Sequence, residues 1–472
     1  MTVGYLLRTA VIASALTVSA CVTAPLNQLA PTDNRVTVVR RGPVLHLTYQ
    51  LDREAEVWAF TDSALTSEER QPWRPQQWRV LTDGVVLDRA GNYDVLRTVD
   101  GSPVPRVVEI AARPRSVDLE AEYRTLVFTN GAMALPNRQV NLFPVKSLQD
   151  ARDLPADLNG VELATPPIEA VWRDEAGRVH FGGMEFDRLT TRMERSYVLM
   201  GNVPVTRGQG VTAVIDPQLP DWLTRILMEA APSIGGWFKQ RLGPAAAGSD
   251  KPVIMAAWKG ADYPNSFMQG SVMPGLITMV FEGAGIAEPD DEIGERALWF
   301  IGHEAAHFWL GQTVKYEYAR DAWITEGGAD LMAVRVLKAT DASYNDKAEL
   351  QREIDDCINL ARQPVLTARE RGEHRAYYAC GAVFGMAAEA AQKRRTGGDF
   401  LDFVRETLRR NDDGVVNEAE WFKQFEDVGG SPQAAQNMRK LLHEGSADPA
   451  PVVAAILADV GVTLSTGRVT LN

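Results

Sequence analysis

Two histidines and two glutamates carry the chemistry legible in this chain. His303-Glu304-Ala305-Ala306-His307 sets two imidazoles four residues apart, and Glu326 follows in the run Trp323-Ile324-Thr325-Glu326-Gly327. On a helix, positions i and i+4 share a face, so both rings can reach a single ion. Zinc takes nitrogen and oxygen donors in a tetrahedral set, and a catalytic site keeps three protein ligands with one position open. His303, His307 and Glu326 supply that set, which implies one Zn2+ per chain. Glu304 is then the natural general base toward a water in the open position. The plainer reading is two incidental histidines on a solvated face. It sits badly with Trp299, Phe300, Ile301, Phe308 and Trp309 around them, because buried imidazoles need partners. Asp330, one turn after Glu326, is placed to accept the second ring N–H of a ligating histidine and fix its tautomer. A purely structural zinc site fits less well, since three ligands beside a free carboxylate suit an open centre.

These residues need elements to hold them. The apolar run from Glu295 to about Leu310 predicts one core helix carrying both histidines. Upstream, Asp221–Leu242 has helical spacing, Val253–Trp258 reads as a buried strand, and Gly275–Phe281 as a second strand. Gly275, Leu276 and Ile277 of that strand are the expected partners for an extended substrate backbone, by strand addition. After Glu326 the pattern is helical, with segments at Ala329–Ala339, Lys347–Leu360, Ala382–Lys393, Leu401–Arg409, Glu418–Phe425, Ala434–Leu442 and Pro451–Leu457. Before Val211 the signals are strands: short β-branched runs punctuated by Asp83-Gly84, Asp100-Gly101 and Asn130-Gly131. The fold class expected is therefore α+β multidomain, an N-terminal antiparallel β domain (35–212) followed by a mainly helical catalytic domain (213–472).

With 472 residues, 45% hydrophobic and 24% charged, the chain can build such domains with real cores. A net charge of −13 argues against general binding to nucleic acid, which needs a basic face.

The metal motif and its surroundings resemble the gluzincin metallopeptidases, and most of all the branch of alanyl aminopeptidase and leukotriene hydrolase. In that branch eighteen residues separate the second histidine from the third-ligand glutamate, as between His307 and Glu326. Its run Asn-Asp-Leu-Trp-Leu-Asn-Glu-Gly-Phe-Ala is similar to Arg320–Ala329 here, and Tyr378-Ala379-Cys380-Gly381 resembles its Tyr-x-Lys-Gly, with Cys380 replacing lysine. The resemblance is best from Gly275 to about Gly430. It implies a thermolysin-like catalytic domain, hydrolysis of a peptide substrate, and Tyr378, ahead of Tyr377, as a donor to the oxyanion. One departure bears on specificity. Aligned on Gly275-Leu276-Ile277, Val272 falls where the family has the glutamate that holds a substrate's free amine. Aminopeptidase action is the leading expectation, with an endopeptidase or specialised peptide hydrolase as the alternative. A non-catalytic envelope scaffold on a peptidase fold is the reading from another class. Gly182-Gly183-Met184-Glu185-Phe186 imitates the amine-binding motif but lies in the β domain, and reads as a decoy.

The N-terminus is expected to be a targeting segment. Arg8 precedes a short apolar run, Thr9 to Val18, too short to span a bilayer. Val18-Ser19-Ala20-Cys21 resembles the lipobox of bacterial lipoproteins. This implies a signal peptide over 1–21, lipidation at Cys21, a tether over 22–34 and a place on the periplasmic face of the outer membrane, as Val22 after the cysteine fits. An ordinary secretory signal is the alternative. Cys357 and Cys380 then remain, free to pair in an exported protein although no spacing demands it. The loop 409–420 has EF-hand character at Asn411, Asp413, Gly414, Asn417 and Glu420, but Arg409 at the first ligand position favours a plain polar loop over calcium. His374, one turn before Tyr378, is expected to be a satisfied or surface histidine rather than a cleft residue.

Overall fold

The computed structural model describes residues 34–120, 122–158, 161, 168–192, 194–207, 212–245, 252–462 and 471. Cys21, the signal segment and nearly all of the tether lie outside the described residues. Among the described residues no helix is long and apolar enough to cross a membrane.

Strands fill the chain up to Met200, in sheets of six, four and five. Arg35–Arg41 and Val44–Gln50 bury every second side chain, the period that packs one face of a sheet and leaves the other wet. Pairing is antiparallel except that Arg35–Arg41 runs parallel to Glu169–Asp174, a departure from the all-antiparallel expectation. Trp58, Trp172, Tyr49 and Phe60 fill the core of this region.

Val205–Arg207, ahead of the expected domain start at 213, pairs with Thr212–Ile215, and both belong to a five-stranded sheet that also holds the strands nearest the metal motif. That sheet continues through Val253–Trp258 and Leu276–Glu282 to Phe267–Met273 at its edge. Val253–Trp258 is buried along its whole length because both faces are covered. Ile254, Ala256 and Trp258 pack toward the helices, while Val253, Met255 and Ala257 meet Leu126, Tyr197 and Leu199 of the β domain.

Helices make up most of the rest. The helix Asp221–Leu242 matches the expected span. The metal helix runs Asp291–Ala306, four residues earlier than expected at its start, because Asp290 caps it by accepting from the Ile293 N–H at 2.9 Å. It ends one residue short of His307, which stands at the C-cap. Ala322–Thr340 contains Glu326, and Arg375–Thr396 contains Tyr378; both begin seven residues before the apolar patterns suggested. Cys357 and Cys380 form a disulfide between the helices Asp346–Leu360 and Arg375–Thr396.

Candidate metal centre and active site

Glycine lets three helices close on the metal site. A Cβ at Gly302 would stand 3.3 Å from Ala333, so the metal helix lies hard against Ala322–Thr340. At Gly327 a Cβ would come within 2.2 Å of the Gly381 backbone, and at Gly381 within 2.1 Å of the Trp323 carbonyl. The helix of Glu326 and the helix of Tyr378 therefore cross backbone to backbone, directly after Glu326 and shortly after Tyr378.

This crossing brings His303, His307 and Glu326 together, their donor atoms all within 4.8 Å of one another. His303 Nε2 and His307 Nε2 are 3.0 Å apart, and Glu326 Oε2 is 3.6 and 3.3 Å from them. Tetrahedral zinc with bonds of about 2.0–2.1 Å holds its ligand atoms about 3.3–3.4 Å apart, so the three edges fit that ion. His303 Nδ1 lies 2.7 Å from Asp330 Oδ1, and His307 Nδ1 lies 2.8 Å from the Leu310 carbonyl. His307 Nδ1 faces a carbonyl acceptor and His303 Nδ1 is in ion-pair contact with Asp330, so both Nε2 atoms and a carboxylate turn on one point. Such a trio of donors could hold a metal ion. Burial pulls both imidazoles toward the neutral form. The carboxylates (Asp330 and Glu326 for His303, Glu326 for His307) outweigh it and raise both pKa values. Burial likewise works against the Glu326 anion, yet the two histidines hold its carboxyl below the usual range.

Glu304 is buried at 4% exposure, and burial raises its carboxyl above its ordinary value. A raised carboxylate is a better proton acceptor, as a general base must be. His303 is sandwiched between Trp299, ring centroids 5.6 Å apart, and Tyr378 at 5.7 Å. Burial, then the charges of Glu326, Asp330 and Glu304, push the Tyr378 phenol well above its ordinary value, so it stays a donor. Tyr377 points elsewhere and donates to the Leu366 carbonyl from within the core.

A cavity of about 410 Å³ reaches His303, Glu304 and Tyr378, with Gln269 and Gly270 on one wall. These two belong to the edge strand Phe267–Met273, which corrects the expectation for Gly275, Leu276 and Ile277. Gly275 sits in the turn with φ +69°, and its carbonyl accepts from Val253 N–H at 2.8 Å. Leu276 and Ile277 pair on both sides, with Val253 and Ile254 on one and with Met273 and Val272 on the other. A strand paired on both sides cannot add a third. Val272 turns its side chain into the core, and its carbonyl accepts from Tyr123 Oη of the β domain at 3.0 Å.

The remaining candidates lie apart from the centre. Glu185 of the decoy motif faces Arg178 and His180 across a hairpin. In the EF-hand-like loop, Asn417 and Glu420 are used in a reciprocal helix cap, Asn411 donates to the Thr407 carbonyl, and Arg409 pairs with Glu406. Those oxygens cap a helix rather than cage an ion. His374 is half-buried at the start of the Tyr378 helix, its pKa lowered by burial and then by Arg369 and Arg70. Trp299, Gln269, Tyr123 and Arg375 are the site neighbours that sequence reading did not assign. Trp299 stands one turn before His303 on the same helix, within reach of a spacing argument, whereas Gln269, Tyr123 and Arg375 come from elsewhere in the chain and no local spacing marks them.

No protein-family model and no curated protein matches this sequence. Solved structures do. An aminopeptidase N family protein from Idiomarina loihiensis superposes with a TM-score of 0.58 at 10% identity, over 89% of this chain and 78% of that one. Native yeast LTA4 hydrolase gives a TM-score of 0.52 at 13% identity, over 90% and 70%. The chain thus shares the fold of these two proteins, at an identity that speaks for fold alone.

Proposed function

We propose that this protein hydrolyses peptide bonds as a zinc-dependent, aminopeptidase-like enzyme with a thermolysin-like catalytic domain. The observation that carries this reading is the three-donor cluster of His303, His307 and Glu326 at tetrahedral spacing, with Glu304 and Tyr378 around it. When bound, zinc supplies Lewis acidity, acidifying water and polarising a carbonyl. Glu304 takes the proton from the attacking water and passes it to the leaving amine. Tyr378, held protonated, donates to the oxygen on which charge develops. Asp330 keeps His303 in the tautomer that presents Nε2. The edge strand Phe267–Met273 offers its backbone to an extended peptide, by the strand addition first expected of its neighbour.

Val272 favours a second reading within the same chemistry. With an apolar side chain buried at that place, the strand offers no carboxylate to a free amine, as suits an endopeptidase or specialised peptide hydrolase. Matched peptides with free and acetylated N-termini separate the two: cleavage of the free peptide alone supports the aminopeptidase, and cleavage of both supports the second reading. Lipid anchoring at Cys21 and an outer-membrane position belong to this proposal too; mass spectrometry of the mature N-terminus tests them.

A further inference from the structure

Asp330 is fully buried and uses its two oxygens on different partners. Oδ1 faces His303 Nδ1 at 2.7 Å, and Oδ2 accepts from Arg375 Nη1 at 2.9 Å. A single partner leaves a carboxylate free to turn about its last torsion, which is broad. A guanidinium on the second oxygen removes that freedom, because its donors form a rigid planar fork. Arg375 is itself held fast. Nη2 donates to Glu353 Oε1 at 2.7 Å, and Nε to Asp356 Oδ2 at 2.9 Å. Asp330 comes from the Glu326 helix, Glu353 and Asp356 from Asp346–Leu360, and Arg375 from the Tyr378 helix. One side chain therefore ties three helices together behind His303. Glu353 is almost as buried as Asp330, at 1% exposure. Burial, then the charge of Asp330, raises its carboxyl in spite of Arg375, so two buried carboxylates depend on one cation.

We infer that Arg375 is a positioning residue for the metal: through Asp330 it fixes the ring of His303, and with it the grip of the three-donor site on its ion. This rests on the zinc reading above but not on peptide cleavage. The Arg375 side chain is 38% exposed, but two of the carboxylates it reaches, Asp330 and Glu353, are buried, which sets it apart from a pair exposed on both sides, worth little.

The test is zinc affinity of the full chain, by competition with a chromogenic chelator, together with the visible spectrum of the cobalt-substituted protein. Arg375→Ala is expected to weaken zinc binding by about 10–100-fold and to shift the cobalt bands. Arg375→Lys is expected to fall between, since an ammonium cannot bridge Asp330 and Glu353 as a fork. Asp356→Asn, altering the more exposed partner, is expected to stay within about twofold of wild type. An Arg375→Ala protein with wild-type affinity and unchanged cobalt bands overturns the inference, as does an equal loss in Asp356→Asn. Should Arg375→Ala not fold by circular dichroism, Arg375→Lys decides on the same readouts, weakened zinc supporting and unchanged zinc overturning. Wild-type protein that binds no zinc overturns the metal reading itself. Wild type that binds it while the Arg375 variants match overturns this inference alone.

Discussion

At the scale of single residues, each group at the metal point has one task and a partner that suits it. The Nδ1 atoms of His303 and His307 face Asp330 and the Leu310 carbonyl, and their Nε2 atoms turn toward each other and Glu326. Tyr378 is kept protonated by burial and by three nearby carboxylates. The sign matters for pH dependence. A phenol raised above its ordinary value of about 10 remains a donor up to and beyond that pH, so an alkaline loss of activity below pH 10 comes from another group. Tyr378→Phe is therefore expected to lower kcat by about 10²–10³, the scale of one lost oxyanion donor, with KM little changed and the alkaline limb in place. A KM effect without a kcat effect, in steady-state kinetics, would assign Tyr378 to substrate binding instead. The histidine pair was readable because positions i and i+4 meet on any helix, with no knowledge of the fold. Arg375 was not, because its partners come from two other helices and no short spacing encodes them.

At the scale of elements, the site depends on helices that approach more closely than side chains allow. Gly327 and Gly381 are where the Glu326 and Tyr378 helices touch by backbone. Gly327→Ala puts a methyl group where the Gly381 backbone stands, so the helices must part and separate Glu326 from Tyr378. A loss of about 1–3 kcal/mol is expected, as for other overpacked cores, with activity falling alongside. Gly236→Ala, on a helix with open space at the new methyl, is expected to gain about 0.4–1 kcal/mol. Thermal unfolding of both variants measures this; equal shifts would remove the close approach as the cause. The elements themselves were legible where periodicity is strong, as in Asp221–Leu242 and Val253–Trp258. Their order within the sheet was not. Leu276–Glu282 is apolar throughout, but Phe267–Met273 carries Gln269, Gly270 and Ser271 in its middle and shows no strand pattern, and its place at the edge is set by the hairpin between them and by Val253–Trp258 arriving from the other side.

At the scale of the whole molecule, the five-stranded sheet ending at Phe267–Met273 is covered by the helices on one face and by the N-terminal strands on the other. Alternating side chains of one strand feed both cores, which is why the sequence shows an unbroken apolar run there. The disulfide adds a covalent tie between the helix bearing Glu353 and that bearing Tyr378, two residues from the tyrosine. Its loop spans a sequence separation of 23, and replacing both cysteines by serine is expected to cost about 2–4 kcal/mol. Denaturant unfolding of that variant, metal-loaded and metal-free, checks the figure, and an unchanged midpoint would show that packing alone holds the two helices. Spacing left the cysteine pairing open, since the backbone distance that decides it is a tertiary fact. The most direct test of the zinc-peptidase reading compares zinc content and peptide cleavage in wild type and Glu304→Gln, on matched free and acetylated peptides. One zinc per chain in both proteins is expected, with cleavage in wild type and a loss of at least about 10²–10⁴ in the variant. Undiminished cleavage by a clean Glu304→Gln preparation, or wild-type protein without stoichiometric zinc, would contradict it.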